Sequence, residues 1–131
     1  MKKTASAIWK GGLKDGKGSL SSQSGVLKDT PYGFNSRFEG GAGTNPEELI
    51  GAAHAGCFSM ALSMMLGEAD YTAERIQTQA EVNLDKLEDG FAITAVNLTL
   101  KASIPGIDAQ EFQRIADKAK AGCPVSRVLN L

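Results

Sequence analysis

The sequence holds two cysteines, and their settings differ. Cys57 lies in Ala53-His54-Ala55-Gly56-Cys57-Phe58-Ser59-Met60-Ala61-Leu62, a run without charge, and reads as a core thiol. Cys123 lies in Ala121-Gly122-Cys123-Pro124-Val125-Ser126, just past a helical pattern, and reads as a thiol at a helix start. This asymmetry suits thiol redox chemistry, in which one sulfur reacts and the other resolves it. A structural disulfide is the rival reading. Burial raises a thiol's pKa, whereas backbone N–H groups and nearby cations lower it. Cys123 is therefore the more acidic thiol on local grounds, and the sequence leaves open which sulfur attacks first.

An activated Cys57 needs a cation. It sits about three turns into its helix, and the helix dipole acts only over the first turn. Arg37 on its strand is a candidate, and a solvated strand residue is its rival and, taken alone, favoured reading. Ten residues separate Glu47 from Cys57 in sequence. On one helix that puts them roughly ~80° apart around the axis and ~15 Å apart along it, so only a long side chain such as an arginine could touch both. His54, three residues before Cys57, is its helical neighbour. A Cys–His pair would be the protease arrangement, but no orienting third group is visible, and His54 reads as a neutral packed histidine.

Two further motifs carry no chemistry. Gly11-Gly12-Leu13-Lys14-Asp15-Gly16-Lys17-Gly18 approaches a phosphate-binding loop, but Gly18 stands where the magnesium-binding hydroxyl belongs and no helix follows. With a single histidine and two cysteines lacking metal-ligand spacing, no metal site and no cofactor is expected.

The elements that position these residues can be read locally. Ala5–Trp9 is a strand, and Lys14-Asp15-Gly16 carries a tight hairpin-turn signal. Ser19–Val26 leads into a loop containing Pro31. Tyr32–Glu39 alternates as a second strand, with Phe34, Ser36 and Phe38 on one face and Asn35, Arg37 and Glu39 on the other. Asn45-Pro46-Glu47-Glu48 opens a helix with a cap, a first-turn proline and a capping box. That helix is expected to reach Leu66 and to stop at Gly67. Apolar or small almost all round, it is expected to be buried on all sides. Ile76–Leu87 and Phe91–Ile104 form a hairpin about Glu88-Asp89-Gly90, with one wet face. Asp108-Ala109-Gln110-Glu111 caps a helix that buries Phe112, Ile115, Ala116 and Ala119. Pro124 then opens a short turn through Leu129, with Cys123 as its cap.

At 131 residues and net charge -1, the chain reads as one domain, 1–131, with no general drive toward nucleic acid or anionic membrane. No apolar run is read as reaching the ~18 residues of a membrane span, and Met1–Lys10 is too polar for a signal peptide. The expectation is a cytoplasmic protein. In a reducing compartment, two cysteines more often mean catalysis or sensing than a structural bridge.

Three segments, Pro31–Glu39, Thr44–Ala61 and Ala119–Ser126, closely resemble the OsmC/Ohr family, the osmotically inducible and organic hydroperoxide resistance proteins. Together the likeness spans nearly the whole chain, and His54 in Ala-Ala-His-Ala resembles the OsmC branch. The resemblance implies an α+β fold with antiparallel sheets around a long central helix, assembled as an intertwined homodimer. It implies a thiol peroxidase that reduces organic hydroperoxides to alcohols in oxidative or osmotic stress defence. By that resemblance Cys57 is the peroxidatic thiol, Cys123 the resolving thiol, Arg37 the thiolate's partner and Glu47 the residue that orients it. The products would be a Cys57 sulfenic acid and then a Cys57–Cys123 disulfide, reduced by a dithiol, of lipoyl type at the family level. Phe34, Phe38, Phe58, Met60 and Met64 are candidate walls for the organic group. Family members usually continue past Leu131 in a final strand that this sequence lacks. A redox sensor or binding protein using the same disulfide as a switch is the alternative, but no output surface such as a basic DNA-reading helix is visible.

Overall fold

The structure, a computed structural model, describes residues 1–130. The chain divides into two compact units, Met1–Leu49 and the remainder from Ile50.

The first unit is built on a three-stranded antiparallel sheet in the order β1-β2-β3: β1 Ala5–Lys10, β2 Lys17–Ser22 and β3 Thr30–Tyr32. Lys10 pairs with Lys17, so the predicted tight turn at Asp15-Gly16 is a longer loop, and Gly11 takes its left-handed φ of 100°. Pro31, expected in a loop, sits in edge strand β3, where a residue without an N–H is tolerated. Gly18 lies opposite both Trp9 and Tyr32 in the register, and their rings meet at 5.6 Å. A Cβ on Gly18 would fall 2.4 Å from Tyr32 and 2.7 Å from Trp9, so that aromatic pair requires glycine there.

The expected strand at Tyr32–Glu39 is not formed. Phe34–Phe38 is instead a single turn of helix, α1. Gly33 precedes it in extended backbone, and the Ser36 hydroxyl both accepts from the Gly33 N–H at 2.9 Å and donates to the Gly33 carbonyl at 3.0 Å. This local side chain–backbone pairing competes with a strand ladder. Phe-Asn-Ser-Arg-Phe places its phenylalanines at i and i+4, which is a shared face in a strand and in a helix alike. Their rings pack at 4.9 Å.

Helix α2 spans Pro46–Glu68 and carries the chain from the first unit into the second. Asn45 caps it, accepting the Glu48 N–H at 2.7 Å. The helix passes through Gly67 and ends at Glu68, two residues later than expected. Asp70 takes the left-handed conformation (φ 65°), Tyr71 N–H donates to the Leu66 carbonyl and Asp70 N–H to that of Gly67. This is a Schellman stop with aspartate in glycine's usual place.

The second unit packs α2 from Ile50 onward with the hairpin β4 (Arg75–Leu87) and β5 (Gly90–Ser103) and with α3 (Ala109–Gly122) and α4 (Pro124–Leu129). The hairpin turn is Glu88-Asp89, with Leu87 paired to Gly90, and a bulge interrupts the register beyond Asn83. Asn97, Thr99 and Lys101 are exposed while Val96, Leu98 and Leu100 are half-buried, as the alternation predicts. Asp108 caps α3 by accepting the Glu111 N–H at 2.8 Å. The core joins Phe58, Leu62 and Leu66 of α2 to Ile115, Ala116 and Ala119 of α3 and to Cys123. Leu62 and Leu66 are wholly enclosed, each worth roughly 1.5–3 kcal/mol.

Two expectations about α2 need correction. The helix carries an 18-residue window of mean hydropathy 1.6, long enough to span a membrane by length and composition. Its Gly51, His54, Phe58, Leu62 and Leu66 side is nevertheless committed to a protein core. The expected burial on all sides is also not supplied by this chain. Ala52, Ala53, Gly56, Met60 and Met64 form an exposed stripe, with Met60 77% exposed.

Candidate active site

The candidate residues fall into two clusters, one in each unit. In the first, Asn45 does two things: besides capping α2, its side-chain amide donates to the Ser36 carbonyl at 3.0 Å. This ties the end of α1 to the start of α2 and sets the residues that follow each anchor, Arg37 and Glu47, side by side. Arg37 Nε donates to Glu47 Oε1 at 2.6 Å. Glu47 is buried and Arg37 is exposed. Because the contact uses Nε, both terminal Nη groups of the fork make no other hydrogen bond among the described residues. Glu47 Oε2 is buried and has no partner among the described residues.

Around Arg37 lies a cavity of about 180 Å³, lined by Trp9, Leu13, Tyr32, Phe34 and Phe38. The guanidinium also sits 5.3 Å from the centre of the Phe38 ring. An apolar cup with one oriented cation can bind a hydrocarbon group beside a polarisable oxygen. Sequence reading supplied Phe34 and Phe38 but missed Trp9, Leu13 and Tyr32. The signal was the pair of aromatic residues flanking Gly18 across the sheet, which becomes visible only with the strand register.

In the second unit, Cys57 of α2 packs against the cluster that contains Cys123, and both thiols are free. The expected burial is inverted. Cys57, read as the core thiol, is half-buried, whereas Cys123, at the corner between α3 and α4, has no exposed surface. That corner turns inward because α3 lays Ile115, Ala116 and Ala119 on the core, and Cys123 continues the same face.

Burial pushes the Cys57 thiol up, and its role as donor to Cys123 pushes it further, against a smaller pull from Val125 N–H. Burial acts in the same upward direction on Cys123. The Cys57 thiol, the N–H and hydroxyl of Ser126 and the N–H of Val125 outweigh it and hold Cys123 below its ordinary value. No capping hydrogen bond of normal geometry reaches the Cys123 side chain, so these donors act as nearby dipoles. Within the second unit the two directions agree with the local sequence reading, which made Cys123 the more acidic thiol.

His54 is buried, and its Nε2 lies 2.7 Å from Ser126 Oγ. Burial, and then Lys120, hold its pKa below the usual value, so the ring is neutral. Of the proposed walls, Phe58 is in the core, and Met60 and Met64 belong to the exposed stripe of α2.

Residues 39–131 match the family described as OsmC-like protein. The chain is 62% identical over 127 residues to peroxiredoxin OsmC of Escherichia coli strain K12, across 97% of this chain and 89% of that protein. It is 32% identical over 111 residues to the organic hydroperoxide resistance protein OhrB of Bacillus subtilis strain 168, across 84% of this chain and 79% of that protein. The crystal structure of Bacillus subtilis OhrB superposes with a TM-score of 0.68 at 30% identity, covering 95% of this chain and 89% of that one.

Proposed function

Because this chain belongs to the OsmC family, we propose that it is a cysteine-based peroxidase that reduces organic hydroperoxides and so acts in defence against peroxide stress. The observation that carries this reading is the free thiol pair, Cys57 against Cys123, in a chain so similar to a peroxiredoxin.

The Cys57 thiolate attacks the terminal oxygen of ROOH. An S–O bond forms, the O–O bond breaks, and the alkoxide leaves to take a proton and become the alcohol. Cys57, now a sulfenic acid, condenses with Cys123 to a disulfide and water. A dithiol, of lipoyl type at the family level, then returns both thiols in a reducing compartment, which we take to be the cytoplasm. Cys57's own surroundings favour its protonated form, so it needs a cation, and the family resemblance assigns that role to Arg37. With Nε fixed by Glu47, the Nη groups of Arg37 keep directed donors of the kind a thiolate and a leaving oxygen require. The aromatic cup with Phe34 and Phe38 receives the organic group. Met60 and Met64 would serve as walls only through a second chain covering α2, a route not open to Phe58, which is enclosed in the core. The working unit in this reading is a homodimer.

The test is consumption of cumene hydroperoxide and of hydrogen peroxide with dithiothreitol, set against a monothiol. Burial of an aryl-sized group is worth roughly 1.5–3 kcal/mol, so kcat/KM should favour cumene hydroperoxide by about ten- to a hundredfold. Cys57→Ser should abolish turnover, and Cys123→Ser should consume about one equivalent and then stall or overoxidise. Full turnover by Cys57→Ser would overturn the assignment of the attacking sulfur.

A further inference from the structure

We propose that His54 and Ser126 form a clamp that serves the resolving step: it fixes Cys123 opposite Cys57 and turns the Ser126 hydroxyl toward the Cys123 sulfur. The clamp rests on the reading of Cys57 as the sulfur that is oxidised.

The four residues make a closed arrangement. His54 lies one helical turn before Cys57 on α2, and Ser126 lies one turn after Cys123 at the start of α4. The His54 Nε2···Ser126 Oγ contact of 2.7 Å joins positions 72 residues apart, and the thiol pair closes the other side. Helix α4 has six residues and no fully buried side chain. So short a helix cannot hold itself, and the histidine contact is a fixed point that keeps its first turn, and therefore Cys123, in register.

The direction of the hydrogen bond follows from the other ring nitrogen. His54 Nδ1 is buried without a partner among the described residues. If Nδ1 carried the proton, an N–H donor would be buried unpaired, a rarer and costlier defect than a bare lone pair. The neutral ring therefore carries its proton on Nε2 and donates to Ser126 Oγ. The serine's own O–H is then released from the histidine and can point at Cys123, consistent with the acidifying influence of that hydroxyl there.

The step balances without an outside reactant. Ionised Cys123 attacks the sulfur of the Cys57 sulfenic acid. An S–S bond forms, the S–O bond breaks, and the electron pair leaves on hydroxide. Hydroxide recovers the proton that Cys123 gave up, so the net product is water. His54 and Ser126 are positioning residues here: neither exchanges an atom with the peroxide.

The experiment separates the two chemical steps in the full chain. Rapid mixing with cumene hydroperoxide, followed by dimedone trapping and by mass spectrometry of the disulfide, gives sulfenic acid formation and ring closure independently. Ser126→Ala and His54→Ala should each slow closure by roughly tenfold relative to sulfenic acid formation. Cys57 sulfinic acid should then accumulate under excess peroxide. The double variant should be no slower than either single one, because both break the same contact. His54→Gln, which offers an amide N–H near the position of Nε2, should recover most of the rate. Should His54→Ala fail to fold, Ser126→Ala removes a single oxygen and carries the test. Wild-type closure in Ser126→Ala, additive losses, or equal slowing of both steps would overturn the clamp while leaving the peroxidase reading intact. A wild-type protein that forms no Cys57–Cys123 disulfide would overturn both.

Discussion

At the scale of single residues, the proposed chemistry turns on orientation more than on charge. Arg37 spends Nε on Glu47 at 2.6 Å and keeps the rest of its fork available. Lysine has one donor head and cannot do both, so Arg37→Lys should lower kcat/KM by roughly tenfold or more, about 1.4 kcal/mol, with folding intact. Wild-type kinetics in that variant would show that Arg37 only decorates the unit. His54 yields a pH prediction. Its folded pKa is lowered by burial and by Lys120 from an ordinary 6.5. The unfolded chain therefore binds a proton before the folded one as pH falls. The stability tied to this group is complete above 6.5 and is lost as pH falls from there through the lower folded value. The urea midpoint should drop between near-neutral and mildly acidic pH by more in the wild type than in His54→Gln. Equal drops would mean that His54 titrates as it does in water.

At the scale of elements, what was legible was what is local. Asn45 and Asp108 were readable as caps because a cap is a contact across three residues, and both form. The β4–β5 hairpin was readable because its alternation runs much longer than one helical turn. Phe34–Phe38 failed because five residues with aromatic ends satisfy both periods, and the deciding bonds run from Ser36 to Gly33. Gly67 was mistaken for a stop because glycine usually takes the left-handed position that Asp70 occupies here. Asp70→Gly should therefore be neutral or stabilising, whereas Asp70→Ala should cost roughly 1 kcal/mol in chemical denaturation. If Ala at 70 were harmless, the helix would be ending elsewhere. In the site, the settings of the two cysteines pointed to both thiols, whereas the pairing of Arg37 with Glu47 came with the family resemblance. The His54–Ser126 contact was invisible because it joins residues 72 apart, and the inverted exposure of the cysteines depends on how α3 packs.

At the scale of the whole molecule, α2 is unfinished in one chain. Only 28% of its most apolar window is buried, and Ala53, Gly56, Met60 and Met64 offer small residues and methionines in a continuous stripe. Such a surface is more than a lone chain usually leaves to water, and obligate interfaces resemble a core cut in half. The protein should sediment as a homodimer at micromolar concentration. Met60→Glu with Met64→Glu should dissociate it and lower its unfolding midpoint. A folded, fully active wild-type monomer would refute the assembly.

In the proposed cycle, the unequal exposure of the two sulfurs sets the geometry of regeneration. An incoming thiolate must approach in line with the S–S axis of a Cys57–Cys123 disulfide, and Cys123 has no open surface from which to be struck. On this proposal the nucleophile lands on the Cys57 sulfur, and Cys123 departs as the leaving group. The better leaving group is the more acidic thiol, and that is Cys123. The proposed mixed disulfide would then form on Cys57 alone, so one sulfur would receive the peroxide's oxidation and, half a cycle later, the reductant's attack. The enclosed sulfur would meet neither reagent and answer only to its neighbour.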